Sequence, residues 1–491
     1  MATPIPSNRA IVTIEDAARA TGGTIVRAGS VPLAGGIVTD SRAITRGSVF
    51  VALVGETHDA HAFLDKACGS APAYVVVQKG RSPADPAVGV LEVDDTLVAL
   101  GALANTWLER WRANRASAAD GAGRIVGITG SAGKTTTKEL TAALLGQVGK
   151  TLATSGNLNN RIGVPMTVLS IDDSDAFAVL EMGMSLPGEI AAVAGIARPD
   201  VAIITNVGLA HAEGVGGREG VMREKGAIYR ALDDHGVAVI NADDDFATRA
   251  AEGIRAKTKI TFGQRAPADY ALVAREPRDG GSALTIRTPH REIAIFLPLP
   301  GEAAAIDLVA ALAAQEAATG VRLETARIEE GLARVRLAGR AAIVKLGGDV
   351  VVLDDTYNAN PASVRAALAT LGELAGAGRR RVAVLGEMKE LGAHAEAEHA
   401  ALGEVIASAG VALAIGCGGL VDLALDGAEA RGTRVLRARS TEEAAAIARE
   451  NVRGGDVVLV KGSRSVGAER VTAALSEAWP SAPKPASSSS A

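Results

Sequence analysis

The chain is predicted to fold as an α/β protein of three successive units. Short apolar runs rich in Val, Ile and Leu recur between helix-like stretches, at 125–128, 177–180, 201–205 and 237–240. They return at 350–353, 382–385, 412–415 and 457–460. Continuous runs of this kind suit parallel strands covered on both faces by crossover helices. A small, polar stretch without periodicity, 113–123, separates this rhythm from what precedes it and reads as a linker. A length of 491 residues is enough for about three domains.

The first unit, 1–112, carries β-like runs at 48–53 and 73–78 and closes with a helical stretch over 95–111. The second, 124–335, opens on the run at 125–128, with helices expected over 136–145 and 304–319, the latter stopped by Gly320. The third, 336–480, repeats the strand–helix rhythm as a smaller α/β unit. Residues 481–491, Pro- and Ser-rich, are expected to be a disordered tail.

Composition narrows the function class. With 48% hydrophobic and 22% charged residues, the chain reads as soluble and globular; only 3% aromatics leaves Val, Leu, Ile and Ala to fill the cores. A formal charge of −5 argues against a nucleic-acid partner. Two cysteines far apart, Cys68 and Cys417, suggest neither a disulfide framework nor a metal cluster and fit a reducing compartment. No basic region followed by an apolar core stands at the start, and no uncharged apolar run nears the roughly 20 residues that span a bilayer. A cytoplasmic enzyme without membrane insertion is expected.

The most specific stretch is 124–138, Arg-Ile-Val-Gly-Ile-Thr-Gly-Ser-Ala-Gly-Lys-Thr-Thr-Thr-Lys. An apolar strand opens here into a Gly- and hydroxyl-rich loop suited to a nucleoside triphosphate, ATP being favoured. Gly127, Gly130 and Gly133 are expected to turn backbone N–H groups onto phosphate oxygens, with Ser131, Ala132 and Thr136 completing the cradle. Lys134 supplies a cation for the β/γ-phosphates, and the Thr135 hydroxyl can bind Mg²⁺. The following helix aims its positive end at the same phosphates. Ile128 occupies the place of the first glycine in the strict G-x-x-x-x-G-K-[ST] pattern, so the match is partial.

In parallel α/β sheets ligands gather beyond the carboxyl ends of the strands, so residues distant in sequence converge there. Glu181 directly follows a strand and could offer Mg²⁺ an oxygen ligand, or serve as an ordinary helix-start carboxylate. His211 lies in the loop after 201–206; a lone histidine has metal, phosphate and structural roles open to it. Lys225 is undistinguished by spacing, since helical lysines are normally solvated. In the third unit, Asp354, Asp355, Asn358 and Asn360 crowd a strand end as turn formers or as ligand contacts. Lys461 and Arg464 follow another strand as an anion site or a basic turn.

Taken together, these segments resemble the Mur ligases, and among them the members that add D-alanyl-D-alanine. The resemblance rests on Thr-Asp-Ser-Arg (39–42), Phe-Val-Ala-Leu-Val-Gly-Glu (50–56), the phosphate loop (128–138) and Asn-Leu-Asn-Asn-Arg-Ile-Gly-Val-Pro (157–165). It continues through Glu-Met-Gly (181–183), Ala-Arg-Pro-Asp-Val-Ala-Ile-Ile-Thr-Asn (197–206) and Asp-Asp-Thr-Tyr-Asn-Ala-Asn-Pro (354–361). Leu-Gly-Glu-Met-Lys-Glu-Leu-Gly (385–392) and Lys-Gly-Ser-Arg (461–464) complete it. The resemblance implies an N-terminal mixed α/β domain for a UDP-sugar, a central P-loop ATPase with a parallel sheet, and a C-terminal Rossmann-like domain. It implies ATP and Mg²⁺, with UDP-MurNAc-tripeptide and D-Ala-D-Ala as substrates of a monomeric enzyme.

By the same resemblance Ser41 and Arg42 lie near UDP, and Asn157, Asn159 and Asn160 face the sugar-peptide. Thr135, Glu181, His211 and Lys225 hold metal, with Lys225 as the lysine carbamylated in related ligases. Arg340 resembles the inter-domain arginine that reaches ATP phosphate. Asp355, Asn358 and Asn360 resemble nucleotide contacts, and Ser463 is expected near the incoming dipeptide. Three places depart from the family pattern. Gly301-Glu-Ala-Ala-Ala replaces a His-Asn after Leu-Pro-Gly, His-Asp-Ala-His-Ala-Phe (58–63) replaces Asp-Gly-His-Asp-Phe, and Ala468 replaces a methionine. Two rivals are a related ligase with another amine, such as a folylpolyglutamate synthase, and a non-catalytic NTP-binding regulator. The N-terminal block and Asn-Leu-Asn-Asn disfavour the first; intact Lys134, Thr135, Glu181, His211 and Lys225 disfavour the second.

Overall fold

The computed structural model describes residues 3–55, 58–116, 123–209, 212–265 and 267–481. Three sheets follow one another along the chain. The first has five strands in the order Thr24–Arg27, Gly89–Val93, Tyr74–Gln78, Val49–Val51, Ile37–Val38; only Thr24–Arg27 runs antiparallel. The third has six, Ala342–Lys345, Val351–Asp355, Val457–Lys461, Arg381–Leu385, Leu413–Gly416, Arg434–Arg437, parallel except for the Ala342–Lys345 edge.

The central sheet has nine strands. Its parallel part is ordered Thr151–Ala153, Phe177–Glu181, Arg124–Thr129, Val201–Ile204, Val237–Asn241, Thr258–Gly263, with Tyr270–Arg278 joining in parallel. Gly281–Arg287 and Glu292–Leu297 extend it as antiparallel hairpins that the sequence analysis did not anticipate. Alternation explains why both faces are covered. Val126, Val179 and Ile203 point to one core with Leu140, Leu144, Leu308 and Ala311 of the flanking helices. Their neighbours Ile125, Ala178, Leu180, Ala202 and Ile204 point to the other.

That second core is shared with the N-terminal unit, because Val12, Val49, Tyr74 and Leu91 belong to the same buried cluster. The helix Thr96–Arg115 joins them. Asp95 caps it by accepting from Leu97 N and Val98 N, and Leu100, Leu103, Ala104, Trp107, Leu108 and Trp111 line its buried side at helical spacing. The indole N–H groups of Trp107 and Trp111 donate to Ile171 O (3.0 Å) and Asp175 O (3.1 Å) of the central unit. The helix therefore runs past the expected stop at 111, because its last turns are held by the next unit. Of the expected linker, 117–122 lie outside the described residues, as does the tail beyond Ser481.

The C-terminal unit keeps its own cores on the two faces of its sheet. It meets the central unit through polar contacts: Arg275 with Glu373 (Oε2 at 3.0 Å), Lys345 Nζ with Asp279 (3.1 Å) and Asn360 Nδ2 with Ser131 O (3.2 Å). The connecting segment bends at Gly339 (φ 65°) and Ala341 (φ 51°).

Candidate active site

The strand Arg124–Thr129 delivers the chain to the loop 130–133, and the helix Lys134–Leu145 starts immediately beyond it. Two glycines make the turn possible. A Cβ on Gly130 would lie 1.8 Å from Thr205 Oγ1. Gly133 sits at φ 80°, and a Cβ there would meet Asp307 Oδ1 at 2.5 Å. Gly127 plays a different part from the one expected: it is inside the strand, and a Cβ there would face Pro199, Ile228 and Met182 rather than a ligand.

The loop is clamped from the neighbouring strand end. Ala132 N donates to Asn206 Oδ1 (2.9 Å), while Asn206 Nδ2 and Thr205 Oγ1 both donate to Ala132 O (3.0 and 2.5 Å). Gly208 N donates to Ser131 Oγ (2.8 Å). Sequence reasoning missed Asn206, although the strand-end rule that selected Glu181 points to it equally.

Around the loop lies a cavity of about 630 Å³ between the central and C-terminal units. Ser131, Ala132, Gly133, Lys134 and Thr136 line it, with Asn157, Asn159, Asn160 and Glu181 of the central unit. Arg340, Asp355, Asn358 and Asn360 close it from the other side, so residues as distant in sequence as Ser131 and Asn360 converge as expected.

Glu181 is buried at the end of its strand. Thr135 Oγ1 donates to its Oε2 at 2.6 Å and Asn159 Nδ2 to its Oε1 at 2.8 Å. Burial would raise its carboxyl, yet the charges of Lys134 and Arg340 and these two hydrogen bonds hold it below the usual range. A carboxylate beside a threonine hydroxyl offers the hard oxygen donors that Mg²⁺ takes, with its other positions left to water and phosphate. Among the described residues no cluster of three His, Cys, Asp or Glu forms a self-sufficient metal cage. His211 lies outside the described residues.

Lys225 is 1% exposed. Its Nζ and that of Lys134 both donate to Gly130 O, at 2.9 and 2.8 Å. Burial, then the neighbouring Lys134 charge, lower its ammonium well below the ordinary lysine range. Lys134 is also lowered, by burial first, with Glu181 opposing.

On the C-terminal side, Arg340 stacks its guanidinium 3.8 Å from the centre of the Tyr357 ring. Asp355 accepts from Lys461 Nζ at 2.5 Å and from Ala341 N at 3.2 Å. Asn358 donates nothing to the loop but lines the cavity, and its carbonyl accepts from Lys461. Asn360 does both jobs left open by its sequence: its Oδ1 caps the helix Pro361–Ala375 through Ser363 N (2.9 Å), while its Nδ2 reaches Ser131 O.

Two groups sit elsewhere. Ser41 and Arg42 are in the N-terminal unit and do not line this cavity; Arg42 pairs with Asp40 (2.7 Å) near the surface. Ser463 is buried, its hydroxyl accepting from Lys389 N (2.8 Å), so it braces the loop that begins at Gly386; Arg464 lines the cavity in its place. A further residue was unforeseen. Asp307, on the Ala-rich helix Glu302–Thr319, lines the cavity beside Gly133, and burial pushes its carboxyl up to about 8. A lone acid in an otherwise apolar helix face was its sequence signal. The helix starts at Glu302, with Ala303 and Ala304 lining the cavity where the family pattern has His-Asn.

This geometry defines a nucleotide-binding protein of three sheets whose phosphate loop is shared with a C-terminal α/β unit. The chain belongs to the Mur ligase family: the Mur ligase middle domain matches residues 128–315, and the Mur ligase glutamate ligase domain matches residues 339–464. The UDP-N-acetylmuramoyl-tripeptide–D-alanyl-D-alanine ligase of Escherichia coli (strain K12) is 37% identical over 445 residues, covering 90% of this chain and 93% of the relative. MurF from Acinetobacter baumannii superposes with a TM-score of 0.83 at 32% identity, over 96% of this chain and 100% of that one. MurF from Thermotoga maritima, solved in complex with ADP, gives 0.78 at 28% identity, over 90% and 97%. No helix among the described residues is long and apolar enough to cross a membrane.

Proposed function

We propose that this protein joins D-alanyl-D-alanine to UDP-N-acetylmuramoyl-tripeptide at the expense of ATP, giving the pentapeptide precursor of peptidoglycan. The observation that carries the reading is the cavity where the phosphate loop, Glu181 and the C-terminal strand ends meet in a chain related along nearly its full length to ligases of that name. Residues 1–112 hold the UDP-sugar, with Ser41 and Arg42 near UDP; 124–335 hold ATP; 336–480 complete the site. Substrates of this kind belong to the cytoplasm, where the enzyme acts as a monomer.

A carboxylate is a poor electrophile and must be activated before an amine can attack it. The tripeptide carboxylate attacks the γ-phosphorus of ATP, the bond to the β-bridging oxygen breaks, and an acyl phosphate and ADP result. Lys134 and Arg340 face the phosphoryl oxygens and stabilise the charge that builds there. Thr135, Glu181, His211 and a carbamylated Lys225 would hold Mg²⁺, which screens the phosphate charge when bound. Burial, by lowering the Lys225 ammonium well below the ordinary lysine range, favours the neutral amine, the form that takes up CO₂. Asn157, Asn159 and Asn160 orient the sugar-peptide, while Asp355, Asn358 and Asn360 close on the nucleotide. The amine of D-Ala-D-Ala then attacks the acyl carbon, and phosphate leaves the tetrahedral intermediate. Rate comes largely from holding three reactants in one cavity.

Phosphate release from ATP tests the reading. Release that requires both UDP-MurNAc-tripeptide and D-Ala-D-Ala supports it. Equal release with another amine, or none with any, overturns it.

A further inference from the structure

Lys138 has no part in that scheme, yet it is 1% exposed and among the largest side chains fully buried in the molecule. An ammonium is expensive to bury, and an apolar side chain of equal length would fill the same space. Its partners explain the choice. Nζ donates to Thr154 O at 2.6 Å and pairs with the Glu139 carboxylate at 2.7 Å.

Thr154 is the point at which the chain leaves the strand Thr151–Ala153 for the loop carrying Asn157, Asn159 and Asn160. Its N–H donates to Val179 O (3.0 Å), and its hydroxyl accepts from Glu181 N (3.0 Å). Further along the loop, Asn159 Nδ2 donates to Glu181 Oε1 and Gly183 N donates to Asn159 O, each at 2.8 Å. Thr135 stands three residues before Lys138, on the same side of the helix, and donates to Glu181 Oε2. One helical turn thus grips Glu181 twice: by its carboxylate through Thr135, and by its backbone through Lys138 and Thr154.

We propose that Lys138 is a positioning residue that locks the loop 154–160 and the Glu181 strand end to the helix beneath the phosphate loop. The sugar-peptide is thereby registered against the triphosphate by the element that binds the triphosphate. The proposal rests on the function above for its substrate, and not for its geometry.

The test uses the full chain with Lys138→Met, which keeps length and removes the charge, and Lys138→Arg, which keeps a donor. Lys138→Met should leave the Kd for Mg-ATP within threefold, raise KM for UDP-MurNAc-tripeptide at least tenfold and lower kcat. Lys138→Arg should recover most of that loss. Amide hydrogen exchange across 155–160 should quicken at least tenfold in Lys138→Met while 134–145 stays protected; this arm needs no turnover. If Lys138→Met fails to fold, Thr154→Val, which deletes the hydroxyl that accepts from Glu181, should produce the same KM rise. A folded Lys138→Met with wild-type KM and unchanged exchange overturns the proposal, as does Thr154→Val with wild-type KM. Wild-type protein that turns over no substrate while the exchange difference holds would overturn the proposed reaction and leave the role of Lys138 standing.

Discussion

Asp307 gives the sharpest pH-dependent expectation. Its carboxyl titrates near 8 in the folded chain and near 4 when unfolded, because burial disfavours the charged form. The folded state therefore keeps a proton that the unfolded state releases. This contribution to stability is fully present below about pH 4, declines as pH rises, and stops changing above about 8. One pH unit within that window is worth about 1.4 kcal/mol, so between pH 6 and 8 the wild type should lose roughly 2–3 kcal/mol at this position. Asp307→Asn keeps the shape and cannot ionise. Apparent thermal midpoints of both proteins, without nucleotide, should diverge in favour of the variant from pH 6 to 8. The gap should grow by several degrees and then level off. The neutral form also keeps a negative charge away from Gly133 and the phosphates, so KM for ATP should rise above pH 8 in the wild type and stay flat in the variant. Midpoint curves that run parallel across pH 6–9 would refute the assignment of a buried neutral acid.

Other expectations test the loop and its partner unit. Lys134→Ala should abolish ligation with an apparent midpoint within about 2 °C of wild type; near-normal turnover would remove the phosphate loop from the mechanism. Gly133→Ala forces a Cβ into the left-handed region and to 2.5 Å from Asp307 Oδ1, so Mg-ATP affinity by calorimetry should fall at least tenfold. Normal binding would show that the turn relaxes. Asn360→Asp preserves the helix cap, within a few tenths of a kcal/mol, but loses the donor to Ser131 O; KM for ATP should rise several-fold while stability holds. A variant that loses stability and keeps KM would mean the cap alone matters.

The buried parallel strands were legible because continuous Val/Ile runs have few alternatives. Asp95 and Gly320 mark helix ends in the manner of any cap. The hairpins at the edge of the central sheet were not: the second half of Tyr270–Arg278 is polar and largely exposed, and in Glu292–Leu297 the in–out alternation is masked because the outward Ala294 and Phe296 are themselves apolar. Within the site, residues whose role is local chemistry at a strand end, Glu181 and Asp355, could be picked out. Those whose role depends on burial could not. Nothing in the neighbours of Lys225 along the chain shows that it is enclosed, and only the family resemblance singled it out. Lys138 is hidden in the same way. Gly127 marks the opposite error: proximity in sequence to the phosphate loop suggested ligand contact, whereas it packs inside a strand.

The tryptophan-bearing helix has a mechanical consequence. Since its residues pack at once against the N-terminal sheet and the central one, those two sheets form a single block that cannot shear without opening an apolar core. The C-terminal unit is tied on by a few ion pairs and amide contacts and by a bend at Gly339–Ala341, right beside Arg340. Swinging that unit therefore moves Arg340, Asn358 and Asn360 together against a fixed anvil, so that a single pivot arms the whole catalytic chamber.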